Sequence, residues 1–268
     1  MIIDFHTHIF PQKIAYNAIK ALKATSGYHN FTDGTAEDLK KSMRSSGVDV
    51  SVNLPVLTNP DSFFKTMEHL EADSREDNKR ILSFAAIHPR CDDIEDKIRF
   101  IVERGFKGIK LHPLFQDEPI DSDKTERLVD CASRAGLITM IHPGFDVSFP
   151  DLKHAEPKKI VRMLEEVKPS NVVLAHMGAL EYWDEVYDTV CGRNVYFDTS
   201  FSMHILGEKK FVKLVVKHGA NKVLFGSDSP WRDQSDYVNM LKGFSSLSDE
   251  DKEKIFYKNA AKLLDFEV

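Results

Sequence analysis

Eight short apolar segments alternate along the chain with longer polar segments of helical periodicity. The apolar segments are rich in β-branched and large side chains, which is typical of buried parallel strands. They cover residues 2–6, 48–55, 81–88, 106–112, 137–142, 172–176, 195–199 and 223–228. The pattern predicts eight strands, each followed by a segment that returns the chain to the next strand.

The polar segments carry helix start and stop signals. A capping pattern at Thr35 opens one helix and Gly47 ends it, while Gly105 and Gly136 end the helices predicted over 92–104 and 122–135. Further helices are predicted over 157–167, 179–191, 204–218 and 248–264. Residues 9–34, 144–156 and 229–247, the longest connections, are predicted to be loops that cover the catalytic rim.

The repeated strand–helix order predicts an α/β protein, a (β/α)8 TIM barrel, formed as a single domain by residues 1–268. A doubly wound open sheet is the alternative. Because no glycine-rich phosphate loop follows the first strand, the barrel is favoured.

Composition limits the partners and the chemistry. With 42 acidic and 36 basic residues the net charge is −6, which gives no signal for nucleic acid binding. No basic leader and no apolar run near the ~20 residues of a membrane span is present, so we expect a cytoplasmic protein without a membrane partner. The three cysteines are far apart, so a metal would have to use histidine and carboxylate ligands.

Histidines cluster at one end of the predicted strands. Six of the eleven lie where a strand ends: His6, His8, His88, His112, His142 and His176. Barrel enzymes assemble their active sites at the carboxyl ends of the strands. Prolines 89, 113 and 143 follow three of these histidines and fix the points where the chain leaves the sheet.

Side-chain alternation brings a ligand set to one face. His6 and His8 share a face of the first strand, and His142 and Asp228 end inward-facing rows of the fifth and eighth. Three nitrogens and one carboxylate suit one divalent metal, with Zn²⁺ preferred and Mn²⁺ or Fe²⁺ acceptable.

Four ordered motifs resemble a known family. They are Asp4-Phe5-His6-Thr7-His8, Met140-Ile141-His142-Pro143, Leu174-Ala175-His176-Met177-Gly178 and Phe225-Gly226-Ser227-Asp228-Ser229-Pro230. They are similar to markers of the amidohydrolase superfamily, in the amidohydrolase-related branch that includes aminocarboxymuconate-semialdehyde decarboxylase. The resemblance implies a TIM barrel of the metal-dependent hydrolase type. It implies that His6, His8, His142 and Asp228 are metal ligands and that His176 orients or deprotonates a metal-activated water.

Lys110 stands where two-metal relatives carry a bridging carboxylated lysine or a glutamate. We favour one metal, with Lys110 as an anchor for a substrate anion, and keep a carboxylated Lys110 as the alternative. The lack of a glutamate argues against TatD-like nucleases, which also open with an Asp-x-His-x-His pattern.

Other residues near the strand ends have less definite roles. His112, Trp231 and Arg232 are candidate substrate contacts, beside Lys110, and surface packing is the alternative role for Trp231 and Arg232. Asp4 is predicted to support a ligand ring or to anchor a loop, and His88 to be structural. Asp198 stays unassigned, because a slip of one residue in its strand would reverse its direction.

Two reactions suit this chemistry. A metal-activated water could hydrolyse an amide, ester or lactone of a small molecule, with His176 or Asp228 accepting the proton, and this is the primary prediction. The alternative is a non-oxidative decarboxylase, a carbon–carbon lyase acting on an aromatic or unsaturated carboxylate. A third possible function is a barrel that binds a molecule without catalysing a reaction. A missing metal ligand would favour that function, but all four predicted ligands are present.

We expect a small-molecule substrate, with a carboxylate among the candidates, and a homodimer as the statistical default.

Overall fold

The computed structural model describes residues 1–76 and 80–266. Its contacts divide the chain into two compact units. The first unit comprises Met1–Asn53, Asp77–Leu82 and Asp198–Val268, and the second comprises Leu54–Glu76 and Ser83–Phe197. A single domain over residues 1–268 stays a prediction.

The described residues contain nine strands where the sequence predicted eight. They are β1 (Ile3–Thr7), β2 (Val50–Asn53), β3 (Ile81–Ser83), β4 (Ala85–Ala86), β5 (Gly108–Leu111), β6 (Ile138–Ile141), β7 (Val172–Leu174), β8 (Tyr196–Asp198) and β9 (Val223–Leu224). The third predicted strand, over 81–88, is divided into β3 and β4 at Phe84. The extra strand is therefore a break within a predicted strand rather than a new segment.

The sheet of the first unit contains β1, β2 and β3 in that order. β1 lies parallel to β2, and β3 follows β2. On the other side of β1, the amide of Phe5 donates to the carbonyl of Phe225, just after β9. Within β1, Ile3 and Phe5 alternate with Asp4 and His6, and all four are fully buried. One face of the strand is thus apolar and the other carries the chemistry.

The second unit holds five strands in the order β4-β5-β6-β7-β8, and the pairs between them are parallel. Because parallel strands end at the same edge, residues that directly follow β5, β6 and β7 come close together. His112 and His142 directly follow β5 and β6, and His176 lies two residues after the end of β7, so all three are at the strand ends where the sequence predicted them.

Eleven α-helices connect the strands in the described part of the chain. They are α1 (Ala15–Ser26), α2 (Ala36–Ser46), α3 (Phe63–Glu76), α4 (Ile94–Glu103), α5 (Asp123–Arg134), α6 (Pro157–Val167), α7 (Trp183–Thr189), α8 (Met203–His218), α9 (Gln234–Gly243), α10 (Asp249–Glu253) and α11 (Asn259–Leu264). A π-helical turn, Lys254–Lys258, joins α10 to α11. No helix in residues 1–76 and 80–266 is long and apolar enough to cross a membrane.

The predicted helix caps are confirmed. The hydroxyl of Thr35 accepts from the amide of Asp38 at the start of α2, and that of Ser248 accepts from Asp251 at the start of α10. Gly47 closes α2 with a φ of 74°, in the left-handed region that glycine adopts without strain. Local sequence therefore determines these boundaries.

Two of the three predicted rim loops were wrong in part. Residues 9–34 contain α1 and residues 229–247 contain α9, whereas 144–156 have no helix. Helix α1 begins after Ile14, which makes no side-chain cap, and buries only Ala15 and Ile19, so its sequence signal is weak. Helix α9 does have a cap, since Asp233 accepts from the amide of Asp236, and this signal was missed. Helix α3 was not predicted either.

Candidate metal centre

Three of the predicted ligands meet in the first unit. His6 lies in β1, His8 follows it directly, and Asp228 lies in the turn after β9. The Asp228 Oδ1 atom is 3.3 Å from Nε2 of His6 and 3.2 Å from Nε2 of His8. The amide of Asp228 donates to the carbonyl of His6, which fixes the turn beside the strand. Two imidazole nitrogens and one carboxylate oxygen therefore converge on a small volume.

This donor set fits a divalent metal. The ligand atoms of His6, His8 and Asp228 lie within 4.8 Å of one another. Ligands held about 2.0–2.2 Å from one ion are separated by about 3.0–3.5 Å, which the two observed distances match. Two nitrogens and one oxygen suit Zn²⁺, Mn²⁺ or Fe²⁺.

Asp198 and Ser200 orient His6. Nδ1 of His6 lies 2.7 Å from Oδ2 of Asp198 and 3.0 Å from the hydroxyl of Ser200, and all three residues are fully buried. A carboxylate on one ring nitrogen directs the other towards a metal and raises its basicity. Gly226 makes the close approach feasible, because a Cβ there would lie 2.9 Å from the Cβ of His6. Asp198, unassigned in the sequence, is thus part of the centre.

Asp4 anchors the turn that carries Asp228. Its carboxylate accepts from the amide and hydroxyl of Ser227, from the side chain of Gln234 and from the amide of His6. Burial raises the pKa of Asp4 to about 6, although these hydrogen bonds act to lower it. Of the two predicted roles for Asp4, the contacts support loop anchoring.

The second unit brings together three more predicted residues. His142 Nδ1 lies 2.9 Å from His176 Nε2. The rings of His112 and His142 stack with centroids 4.0 Å apart and planes 12° apart. Lys110, within β5, is fully buried. Since Nδ1 of His142 contacts His176, Nε2 is the nitrogen through which His142 would bind a metal.

Asp146 was not identified from the sequence, yet it lies beside this histidine group. Its Oδ2 atom is 3.6 Å from Nε2 of His112 and 3.9 Å from Nε2 of His142. Burial raises the pKa of Asp146, but the hydrogen bond and charge of His112 and the amide of Ser148 outweigh it, and the net pKa is lowered. His112, His142 and Asp146 could also hold a metal by distance. Two members of this group, His112 and His142, are also stacked against each other.

His88 has the structural contacts that the sequence predicted. Its Nδ1 accepts from the amide of Arg90, and its carbonyl accepts from the amide of Cys91. Burial, together with the charge of Arg90, lowers the pKa of His88. The side chain holds the turn after β4.

Trp231 and Arg232 follow Asp228 in the first unit. The amide of Trp231 donates to the carbonyl of Asp228. The guanidinium of Arg232 lies 5.7 Å from the ring of Phe31 and 5.9 Å from that of Tyr237. Both residues thus belong to the turn that carries Asp228.

His204 makes stability depend on pH. Burial, with the charge of Arg232, lowers the pKa of His204 from 6.5 to about 4. The unfolded chain therefore binds a proton on this ring below about pH 6.5 that the folded protein takes up only near pH 4, so stability falls across that window as pH falls. In His204→Gln we expect the urea midpoint to fall less between pH 7 and pH 4 than in the unmodified protein. Parallel falls in the two proteins would contradict this.

Comparison with known proteins assigns the family. A family described as amidohydrolase matches residues 3–266. The chain belongs to this amidohydrolase family. Membership confirms the resemblance seen in the motifs and places the chain among amidohydrolase-type, metal-binding enzymes. No curated protein matches the chain.

Several solved structures share the fold over almost the whole chain. A protein from Bordetella bronchiseptica, described only as a TIM-barrel protein, has a TM-score of 0.78 at 16% identity and covers 98% of each chain. A dihydroxybenzoic acid decarboxylase from a Polaromonas species, with bound manganese and the inhibitor 2-nitroresorcinol, has a TM-score of 0.73 at 14% identity, covering 98% of this chain and 96% of its own. The 5-carboxyvanillate decarboxylase of Sphingomonas paucimobilis has a TM-score of 0.67 at 16% identity and covers 99% of each chain. At these identities the likeness shows the fold, which is the predicted (β/α)8 barrel.

Proposed function

We propose that this amidohydrolase is a divalent-metal-dependent, non-oxidative decarboxylase of an aromatic or unsaturated carboxylate. This is the alternative rather than the primary prediction from the sequence. The observation that carries it is the likeness, over the whole chain, to decarboxylases of hydroxylated benzoates. Hydrolysis of an amide, ester or lactone was the primary prediction, and it is the second candidate.

The donor set supports a site for an anionic substrate. When bound, a divalent ion supplies positive charge that attracts a carboxylate and withdraws electrons from the ring that bears it. We propose His6, His8 and Asp228 as ligands, with His142 as the fourth ligand predicted from the sequence. Mn²⁺ is the first ion to test, because the Polaromonas decarboxylase contains manganese, and the preference for Zn²⁺ stays a prediction.

Decarboxylation requires one proton and no water. The bond between the ring carbon and the carboxylate breaks, its electron pair stays on the ring carbon, a proton adds there, and carbon dioxide leaves. We propose that Asp228 delivers this proton, because Oδ1 faces the two imidazoles and the carboxyl group has a second oxygen to carry it. Lys110, His112, Trp231 and Arg232 are proposed substrate contacts, with Lys110 as an anion anchor in the uncarboxylated form.

Hydrolysis has one specific point in its favour, the family to which the chain belongs. In that reaction His176 or Asp228 would accept a proton from water and return it to the leaving group. The histidine pair is relevant here, because His176 contacts His142 through Nε2. This contact supports His176 as a residue that positions His142 in either reaction.

The two reactions are separated by their products. The Mn²⁺-loaded protein would be incubated with 2,6-dihydroxybenzoate and 5-carboxyvanillate, and separately with a panel of lactones and amides. We expect carbon dioxide from an aromatic carboxylate and no acid release from the lactones or amides. Acid release without carbon dioxide would replace the decarboxylase with the hydrolase, and repetition with Zn²⁺ controls for the choice of ion.

His176→Asn is expected to leave the metal content largely intact and to reduce turnover by roughly 100-fold or more, the usual size of a lost acid–base or positioning group. The reason is that His176 contacts a proposed ligand, His142, through one ring nitrogen. Metal would be measured by elemental analysis after gel filtration. Loss of the metal would instead make His176 a ligand.

A matched control is His69→Asn. His69 is an exposed histidine of α3, and its Nδ1 contacts the carbonyl of Lys65 within its own helix. Its substitution should change neither metal content nor turnover. A loss of turnover in both variants would show that the effect of His176→Asn is not specific to the site.

A further inference from the structure

Several aromatic side chains lie near Arg232 in the first unit, in the turn that also carries the proposed ligand Asp228. The Arg232 guanidinium lies over the rings of Phe31 and Tyr237. The amide of Phe31 donates to the carbonyl of Pro230 at 2.7 Å, so the loop before α2 is tied to the turn that carries Asp228. Arg232 follows Asp228 by four residues in that turn.

The charge of Arg232 is not matched by a carboxylate. Among residues 1–76 and 80–266, no acidic side chain forms an ion pair with it, and its buried Nε atom has no hydrogen-bond partner. Aromatic faces compensate a guanidinium only in part. A buried donor without a partner is rare in folded proteins and calls for an explanation such as a ligand. A carboxylate would supply the missing acceptors, in the two-pronged geometry that a guanidinium prefers.

Further aromatic side chains extend this cluster beyond the rings that contact Arg232. Nδ1 of His204 shares a hydrogen bond of 2.7 Å with the Tyr237 hydroxyl, and the ring of Phe201 contacts His204 edge to face. The ring of Tyr28 lies 4.8 Å from that of Phe201. Tyr28 is 36% exposed and Phe31 is 41% exposed. Exposed aromatic faces beside a buried donor are typical of a ligand-binding surface.

His204 contributes no competing charge. Its low pKa, caused by burial and by Arg232, keeps the ring neutral near pH 7. Arg232 is therefore the cation among these aromatic residues, and the Asp228 carboxylate acts on His204 with the opposite sign.

We propose that Arg232, together with the ring faces of Phe31 and Tyr28, forms the subsite that binds the substrate beside the metal centre. The ligand that fits is a planar unsaturated ring bearing a carboxylate, which pairs with Arg232 while the ring lies against the aromatic side chains. This deepens the proposed function and rests on it, since it assigns the binding site for that substrate class.

Binding can be tested apart from turnover. Benzoate would be titrated calorimetrically into the Mn²⁺-loaded protein, with cyclohexanecarboxylate as the non-aromatic probe of equal charge. In Arg232→Gln, we expect benzoate to bind roughly 10- to 100-fold more weakly, the size expected when hydrogen bonds to a charged group are lost. In the unmodified protein, benzoate should bind roughly 2- to 10-fold more tightly than cyclohexanecarboxylate, and Phe31→Leu should narrow that difference.

Two control variants match these changes. Arg99→Gln removes an exposed arginine of α4 that pairs with Asp96, and Phe64→Leu removes an exposed phenylalanine of α3. Neither should alter benzoate binding. Metal content and thermal melting show whether Arg232→Gln is folded and binds Mn²⁺. If it is not, the preference for benzoate in Phe31→Leu tests the subsite independently.

The outcomes separate this subsite from the proposed reaction. Benzoate binding in Arg232→Gln within about threefold of the unmodified protein overturns the subsite, as does a loaded unmodified protein that binds no benzoate at millimolar concentration. If binding depends on Arg232 but no substrate releases carbon dioxide, the subsite stands and the reaction fails. If carbon dioxide is released and binding is independent of Arg232, only the subsite fails.

Discussion

Asp228→Asn is expected to reduce the bound divalent metal to less than about a tenth of that in the unmodified protein and to abolish turnover. One oxygen of Asp228 faces both ligand imidazoles, at 3.3 Å from His6 and 3.2 Å from His8. An amide has the same shape but no negative charge, so the ion would lose its anionic ligand. In the proposed reaction the variant would also lose the proton donor. Elemental analysis and carbon dioxide release measure the two effects separately.

The appropriate control is Asp188→Asn, which changes an exposed carboxylate of α7 in the same way. It should retain metal and turnover. Full metal content in Asp228→Asn, with only turnover lost, would remove Asp228 from the ligand set and leave it as an acid–base residue. Unchanged turnover would remove both roles.

The proximity of the three proposed ligands in the first unit could be predicted because their sequence signals are local. Strand alternation places His6 and His8 together, and the aspartate after the last strand belongs to the same edge of the sheet. The structure confirms that His6, His8 and Asp228 converge. The position of His142 after β6 was also predicted, and its place among four ligands stays a prediction.

The positions of the Asp198 and Asp146 side chains could not be predicted from the sequence. Asp198 ends a strand of three residues, and a register shift of one residue would turn its carboxylate away from His6. The pairing of β7 with β8 sets that register, and the sequence alone does not specify it. Asp146 lies in a loop without periodicity, so no pattern indicates where its side chain points.

Helix α1 was missed because its local signals are weak, whereas α9 was missed although Asp233 caps it. Helix α1 has no capping side chain and a narrow buried face, and it was predicted as a loop. Helix α2 has a capping threonine and acidic residues in its first turn, and it was predicted correctly. Capping residues that are present in the sequence, rather than helix length, separate these two cases.

Asp198→Asn is expected to weaken the affinity for the divalent metal by about 10- to 100-fold while leaving the ligand set intact. The Asp198 carboxylate accepts a hydrogen bond from Nδ1 of His6, which leaves Nε2 deprotonated and aimed at the metal. An asparagine oxygen accepts more weakly, and its amide group can rotate to stabilise the opposite tautomer, in which Nε2 carries the proton. The affinity would be measured by competition with a chelator of known strength.

Excess metal distinguishes this variant from Asp228→Asn. Because His6, His8 and Asp228 are all retained, saturating Mn²⁺ should restore most of the turnover of Asp198→Asn, whereas it should not restore that of Asp228→Asn. Ser200→Ala is the milder comparison, since its hydroxyl lies 3.0 Å from the same ring nitrogen and carries no charge. A metal affinity unchanged in Asp198→Asn would mean that burial between β1 and the residues after β9 is enough to orient the His6 ring without the carboxylate.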